Sequence, residues 1–261
     1  HAVLCLVAQR KGMVISMKKR KLLFIVLLAL FLIGLAIFLY PVIQQARIDS
    51  RTKQTVQQFM ADRPEEVPTQ PQPDIEDLEE QLPYFNLWYD ARFYNIHLAF
   101  NHQETLDSAL AYIQPQLTLA NYGLDSEVFG ILTISKLNLE MPIYLGANSS
   151  NLSLGAAVLG QTSLPMGEMN SNCVIAGHRG WNGADYFRYI TELEPGDEVI
   201  ITNLWETLRY SVTETKIIEP NDVESIYIQP GRDMVTLMTC HPFASGGKYR
   251  YLVYCDRDTV A

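Results

Sequence analysis

Acidic residues are missing from the first 40 positions, which carry six basic ones: Arg10, Lys11, Lys18, Lys19, Arg20 and Lys21. The remaining 14 basic and all 29 acidic residues give positions 41–261 a charge of −15, against −9 for the whole 261-residue chain. A body so short of positive charge lacks the basic footprint that nucleic-acid binding requires, so no nucleic-acid partner is expected. Cysteine is scarce too: four in the chain exclude a disulfide scaffold. There is no internal repeat, P-loop or GxGxxG fingerprint. The C-x-x-C and H-x-x-x-H spacings are also absent, so neither a cofactor nor a metal site is expected. What is plentiful is apolar surface: 48% hydrophobic residues exclude a disordered chain, and the length allows one or two domains with a real core.

The longest apolar run is Leu22 to Tyr40, 19 residues without a charge. As a helix rising about 1.5 Å per residue it spans a bilayer core of roughly 30 Å. Met17-Lys-Lys-Arg-Lys21 precedes it, so the positive-inside rule keeps the basic end cytoplasmic and puts the rest outside. A cleaved signal peptide is the competing reading. PVIQQARID after Tyr40 offers no small-x-small cleavage site, which favours an uncleaved anchor. With Cys5 on the inner side, three cysteines (173, 240, 255) lie outside. That odd number leaves at least one thiol unable to join an internal disulfide.

The outer part divides by composition. Residues 1–21 read as a basic stub, 22–40 as the anchor, 41–83 as a stalk and linker, 84–127 as a helical extension, and 128–261 as a β-domain. Within 64–83 lie five prolines, seven acids and no basic residue, a composition that resists packing. Leu87, Ala91, Tyr94 and Leu98 recur at helical spacing. Trp88, Tyr89, Phe93 and Tyr94 read as packing residues rather than a binding platform. Asn101-His-Gln-Glu104 resembles a capping box, opening a second helix that Pro115 ends. From Val128 short β-type runs alternate with turns. Strands are expected at Val128–Ile134, Leu137–Tyr144, Ala156–Leu159, Asn172–Ala176, Glu198–Thr202, Thr207–Ile218, Met234–Thr239 and Tyr249–Tyr254, with one short helix at Ala184–Ile190. The expected class is mainly β, a sandwich or barrel.

Three segments could carry chemistry. An apolar strand delivers His178 to a Gly-flanked turn, a second ends in Cys240 before Pro242, and a third starts with Arg250. A thiol beside positive charge forms thiolate more readily. An imidazole can protonate a leaving amine near neutral pH, and a guanidinium can stabilise a carbonyl oxygen that gains charge. Together these are the parts for acyl transfer through a thioester. Cys173 and Cys255 read as small buried hydrophobes. His241 competes with His178 as the partner of Cys240. Adjacent strand residues point to opposite faces, which favours His178.

The order of these segments resembles the sortases, cysteine transpeptidases of Gram-positive surfaces. The resemblance covers roughly Val128 to Asp256. It is carried by TLMTC (Thr236–Cys240), Arg250 ten residues on, VIAGHRG (Val174–Gly180), TSLPMG (Thr162–Gly167) and DMVTL (Asp233–Leu237). It implies a closed β-barrel of about eight strands with a few short helices. It also implies Cys240 as nucleophile, His178 as general acid/base, Arg250 as oxyanion stabiliser and Thr239 as a groove residue. The implied reaction cleaves an LPXTG-like sorting signal of a pilin or surface protein between Thr and Gly. The acyl group then passes to an amine of a Lys or of peptidoglycan. The long segment before the barrel is similar to pilus-assembling, class C type sortases. The chain differs from them in having no Asp-Pro-aromatic lid motif and no second apolar run near its end. A single-pass binding or sensory module, and a cysteine hydrolase, are the competing functions.

Overall fold

The computed structural model describes residues 17–64, 79, 81–101, 103 and 111–258. These divide into two compact units, one up to Ile43 and one from Gln44 onward. Helix α1 (Met17–Asp62) runs through both sequence ranges. In the first unit its apolar side chains are exposed, as with Phe24 and Ile37. Among the described residues it is the one helix long and apolar enough to cross a membrane.

In the second unit the rest of α1 is not a free stalk. Val56 and Phe59 are buried in the main core, with Ile48 packed against it. The side-chain carbonyl of Gln45 accepts a hydrogen bond from the Asp185 amide at 2.9 Å. The spacing 48, 52, 56, 59 puts these residues on one helical stripe. Polar neighbours on the other faces hide that stripe from a reading by composition. The central part of the Pro-rich acidic segment and most of the expected helix after Asn101 lie outside the described residues. The described end of that helix is a 3-10 turn at Ala111–Ile113.

Helix α2 (Phe85–Phe100) buries Leu87, Ala91, Asn95 and Leu98. Asn95 takes the place expected for Tyr94 because its amide mimics a strand neighbour. It accepts from the Leu164 amide at 2.7 Å and donates to the Leu164 carbonyl at 2.9 Å. Trp88 and Tyr94 pack on the core. Tyr89 and Phe93 instead stack on each other in solvent, 47% and 56% exposed, against the expectation that all four aromatics pack.

Ten strands follow: β1 (Val128–Ile134), β2 (Leu139–Leu145), β3 (Ala156–Val158), β4 (Ser171–Ala176), β5 (Arg179–Trp181), β6 (Ala184–Tyr186), β7 (Glu198–Asn203), β8 (Thr207–Ile218), β9 (Asp233–His241) and β10 (Tyr249–Arg257). Eight of them close a barrel in the order β1-β2-β3-β4-β9-β10-β8-β7. Closure leaves this eight-stranded sheet no edge open to other chains. The eight expected strands are these eight, with ends moved by up to three residues. The fold is mainly β, as expected.

The expected helix at Ala184–Ile190 is absent. Its first residues form β6, paired with β5 in a hairpin. Asn182 (φ 50°) and Gly183 (φ 88°) supply the two left-handed residues that a two-residue hairpin turn requires. That Asn-Gly pair outweighs the helical spacing after it, and only a 3-10 turn at Ile190–Glu192 survives. A short helix α3 (Ser149–Leu154), capped by Asn148, was not expected.

The barrel interior holds part of the main core, with Phe129, Ile131, Ile201, Val235, Leu237 and Val253. A smaller cluster of Leu159, Val174, Ala176, Ile218, Leu252 and Met234 covers the opposite face of β4, β9 and β10. At the start of β9 the buried Asp233 carboxylate accepts from Tyr210 Oη at 3.1 Å and from Ser171 Oγ at 3.4 Å. Burial raises its pKa from 3.8 to about 6, only partly offset by these bonds and by Arg257.

Two predictions follow from this packing. Asn95→Ala should lower the unfolding free energy by about 2–3 kcal/mol, because the Leu164 amide and carbonyl lose their partners; urea titration of the full chain in detergent measures it. The native state holds the Asp233 proton more tightly than the unfolded chain, so this group's contribution to stability falls as pH rises from about 4 through about 6. Asp233→Asn should remove that fall, so variant and wild-type melting temperatures diverge in the variant's favour between pH 4 and pH 7.

Candidate active site

Strand parity explains how three distant side chains meet. Along β4, Val174 and Ala176 belong to the smaller cluster, and two residues on comes His178. Along β9, Met234 and Met238 face the same way, and two residues on comes Cys240. Along β10, Tyr254 and Leu252 precede Arg250 by the same step, read backwards. Strand β4 pairs parallel with β9 and β10 pairs antiparallel with it, so all three runs finish at one rim of the barrel. Residues two apart share a face. The apolar cluster therefore becomes the floor beneath the three polar groups.

His178, Thr239, Cys240 and Arg250 line one cleft of about 420 Å3, floored by Leu159, Ile218, Ile226 and Met238. Tyr112 and Ile113 form part of its wall. The Tyr112 carbonyl accepts from the amides of Ala147 and Gly160, both at 2.9 Å, which ties that wall to the barrel. A larger groove of about 850 Å3 between α2 and the 167–170 and 227–230 turns contains none of the three residues.

Cys240 and Arg250 are direct cross-strand partners. A methyl group placed on Gly247 would lie 3.4 Å from Cys240 Sγ and 3.1 Å from Arg250 Nη1. Thiol and guanidinium thus face each other across the space that one side-chain atom would fill. Arg250 Nη1 donates to the carbonyls of Gly247 at 2.8 Å and Tyr249 at 3.2 Å, which fixes the fork. Gly247 (φ +81°) is left-handed as well as crowded.

His178 stacks on Trp181 with ring centroids 4.8 Å apart and meets Tyr186 edge-on at 6.0 Å. Burial lowers its pKa, which favours the neutral imidazole. The turn before it is tied down by the Thr239 hydroxyl, which donates to the Gly177 carbonyl at 2.8 Å. Gly177 is a steric requirement: a Cβ there would approach the Phe187 ring to 2.6 Å. Thr239 is thus buried and occupied with the histidine turn, although it borders the cleft.

His241 lies off the cleft. It stacks on Tyr251 at 5.7 Å and accepts from Arg179, on the opposite face of β9 from Cys240. Cys173 and Cys255 are buried, and burial pushes both thiols up. Among the described cysteines Cys240 alone opens on the cleft. No cluster of three potential metal ligands occurs among the described residues. The sequence reading passed over Gly247 and Trp181. The Gly246-Gly247 pair and the Asn-Gly hairpin were the signals available for them.

A closed barrel that carries a thiol, an imidazole and a guanidinium on one apolar cleft defines a barrel-scaffolded thiol site. A family model for the sortase domain matches residues 132–258. The chain is 33% identical over 132 residues to Sortase D of Bacillus subtilis (strain 168), covering 50% of this chain and 64% of that protein. It is 30% identical over 157 residues to Sortase A of Bacillus anthracis, covering 59% and 72%. The solved structure titled "Sortase C1 of GBS Pilus Island 1" superimposes with a TM-score of 0.59 at 25% identity, over 80% of this chain and 93% of that one. The chain belongs to the sortase family, a family of cysteine transpeptidases.

The crowding at Gly247 generates a prediction. Gly247→Ala, which adds only the methyl group, should slow alkylation of Cys240 by iodoacetamide several-fold without lowering the melting temperature below the assay range. An unchanged rate, read by intact mass, would mean that the two side chains do not share that space.

Proposed function

We propose that this chain is a membrane-anchored cysteine transpeptidase that acts on LPXTG-like sorting signals. What supports the reading is the single cleft shared by Cys240, His178 and Arg250. The neutral His178 imidazole takes the Cys240 proton, the thiolate attacks the Thr carbonyl, and Arg250 stabilises the oxyanion that forms. Protonated His178 gives its proton to the leaving Gly amine as the C–N bond breaks, which leaves a thioester on Cys240 and a neutral imidazole. An acceptor amine then attacks the thioester. His178 takes its proton and passes it to the departing sulfur, which regenerates the thiol and the neutral imidazole. The apolar floor suits the uncharged side chains of such a signal.

The acceptor we favour is a Lys of the next pilin, so that the product is a covalent fibre. Its support is the superposition on a pilus-island Sortase C1. A peptidoglycan amine is the second reading, the other acceptor that the resemblance to sortases implies. In this proposal residues 1–21 stay cytoplasmic, 22–40 span the membrane and the barrel works outside.

Incubation with a sorting-signal peptide and either a pilin Lys donor or a peptidoglycan stem amine tests the reading, with products weighed by mass spectrometry. Cys240→Ala should abolish both cleavage and transfer, while Cys173→Ala and Cys255→Ala keep most activity. Arg250→Ala should lower kcat by roughly 10²–10³-fold. Full turnover by Cys240→Ala would contradict the proposal, and hydrolysis alone with either amine present would make the chain a cysteine hydrolase.

A further inference from the structure

The two residues that carry the proposed chemistry each have a neighbour pointing the other way. His178 is followed by Arg179, and Cys240 by His241. Inside the cleft lie His178 and Cys240. Behind it the two neighbours meet. Arg179 Nη1 donates to His241 Nδ1 at 2.5 Å and to the Cys240 carbonyl at 3.4 Å. Its Nη2 donates to Thr191 Oγ1 at 3.3 Å. Tyr251 covers one face of the His241 ring. Arg179 itself starts the β5–β6 hairpin, whose other members, Trp181 and Tyr186, pack against the His178 imidazole. One guanidinium therefore joins the strand bearing the thiol to the hairpin that orients the imidazole.

We propose that Arg179 and His241 form a rear clasp that sets the separation of His178 and Cys240, each acting as a positioning residue. The site needs such a tie. Backbone pairing of β4 with β9 is recorded only as far as Ala176 and Met238, two residues short of either functional side chain. Beyond that point the Gly177 amide donates to the Met238 carbonyl at 3.1 Å, and the Thr239 hydroxyl bonds the Gly177 carbonyl. Those bonds hold the turn, and the clasp holds what comes after it. The geometry also asks for these residue types. Nη1 serves the imidazole nitrogen and the Cys240 carbonyl while Nη2, in the same plane, reaches Thr191, a spread that an ammonium without a fixed fork does not offer. Arg179 Nε is buried without a hydrogen-bond partner, so the bonds of Nη1 and Nη2 are what hold the guanidinium, and losing their acceptors would be costly.

The inference rests on the transpeptidase reading only for its kinetic readout. Two measurements on the full chain separate the two ideas: turnover of a sorting-signal peptide, and alkylation of Cys240 by iodoacetamide, which requires no peptide. His241→Ala and Arg179→Ala should each lower kcat by roughly 10- to 100-fold with KM little changed, as expected when reacting groups move by about an ångström. The Arg179→Ala/His241→Ala double variant should be no worse than either single one, because both remove the same tie. His241→Asn, whose Oδ1 occupies the place of Nδ1, should restore most of kcat, while Arg179→Lys should not. The alkylation rate of Cys240 should fall in the same variants and recover in His241→Asn.

Unchanged kcat and alkylation in both alanine variants, or additive losses in the double variant, would overturn the clasp. Losses that His241→Asn does not rescue would reduce the pair to general packing and overturn it as well. If the wild type fails to cleave any sorting peptide while its alkylation rate still follows the clasp variants, the transpeptidase reading falls and the clasp stands.

Discussion

The pairing of β9 with two neighbours of opposite direction is the constraint on which the rest depends. Parallel pairing with β4 sends Cys240 and His178 to the same rim. Antiparallel pairing with β10 brings Arg250 back to that rim directly opposite Cys240. A one-residue slip in either register would turn every side chain of the strand to its other face. It would move Cys240 into the barrel and Met238 with it. The buried faces forbid that slip, because Val235, Leu237 and Val253 fill the interior and Met234 and Leu252 the cluster outside. Core packing thus sets the position of the functional groups, and local bonds from Thr239, Gly177 and Arg179 refine it.

Much of this was legible in the sequence because the strands are strongly patterned. Val128–Ile134 is buried along nearly its whole length, and Thr207–Val212 alternates exposed and buried, so both stand out from the turns beside them. The preference for His178 over His241 came from parity alone, and the structure puts His178 on the cleft and His241 behind it. Other features were hidden for physical reasons. The hairpin at Arg179–Tyr186 has strands of three residues, too short to show a period, so its Asn-Gly turn was its only signal. The buried stripe of Ile48, Val56 and Phe59 lies within a polar stretch and needs its barrel partner to declare itself. Asn95 reads as a surface residue until Leu164, 69 positions away, supplies its bonds. Thr239 borders the cleft, and only the fold reveals that its hydroxyl also bonds the Gly177 carbonyl.

The charge asymmetry of the chain fits the same organisation. Six basic residues with no acid among them precede the apolar run, and a body with 29 acidic and 14 basic residues follows it. Arg250 and Arg179 are two of the 14 basic residues that follow position 40, one facing the thiol and one bracing the strand that carries it. Guanidinium groups suit both tasks, since each serves several acceptors from one fixed plane.

The most direct test of the account is to locate the acyl group after a brief reaction with a sorting-signal peptide, quenched in acid and mapped by peptide mass. The account predicts one adduct, a thioester on the tryptic fragment containing Cys240. It also predicts that the adduct is strongly reduced in Arg250→Ala and His178→Ala. An adduct on Cys173 or Cys255, or full acylation of Cys240 in both variants, would contradict it.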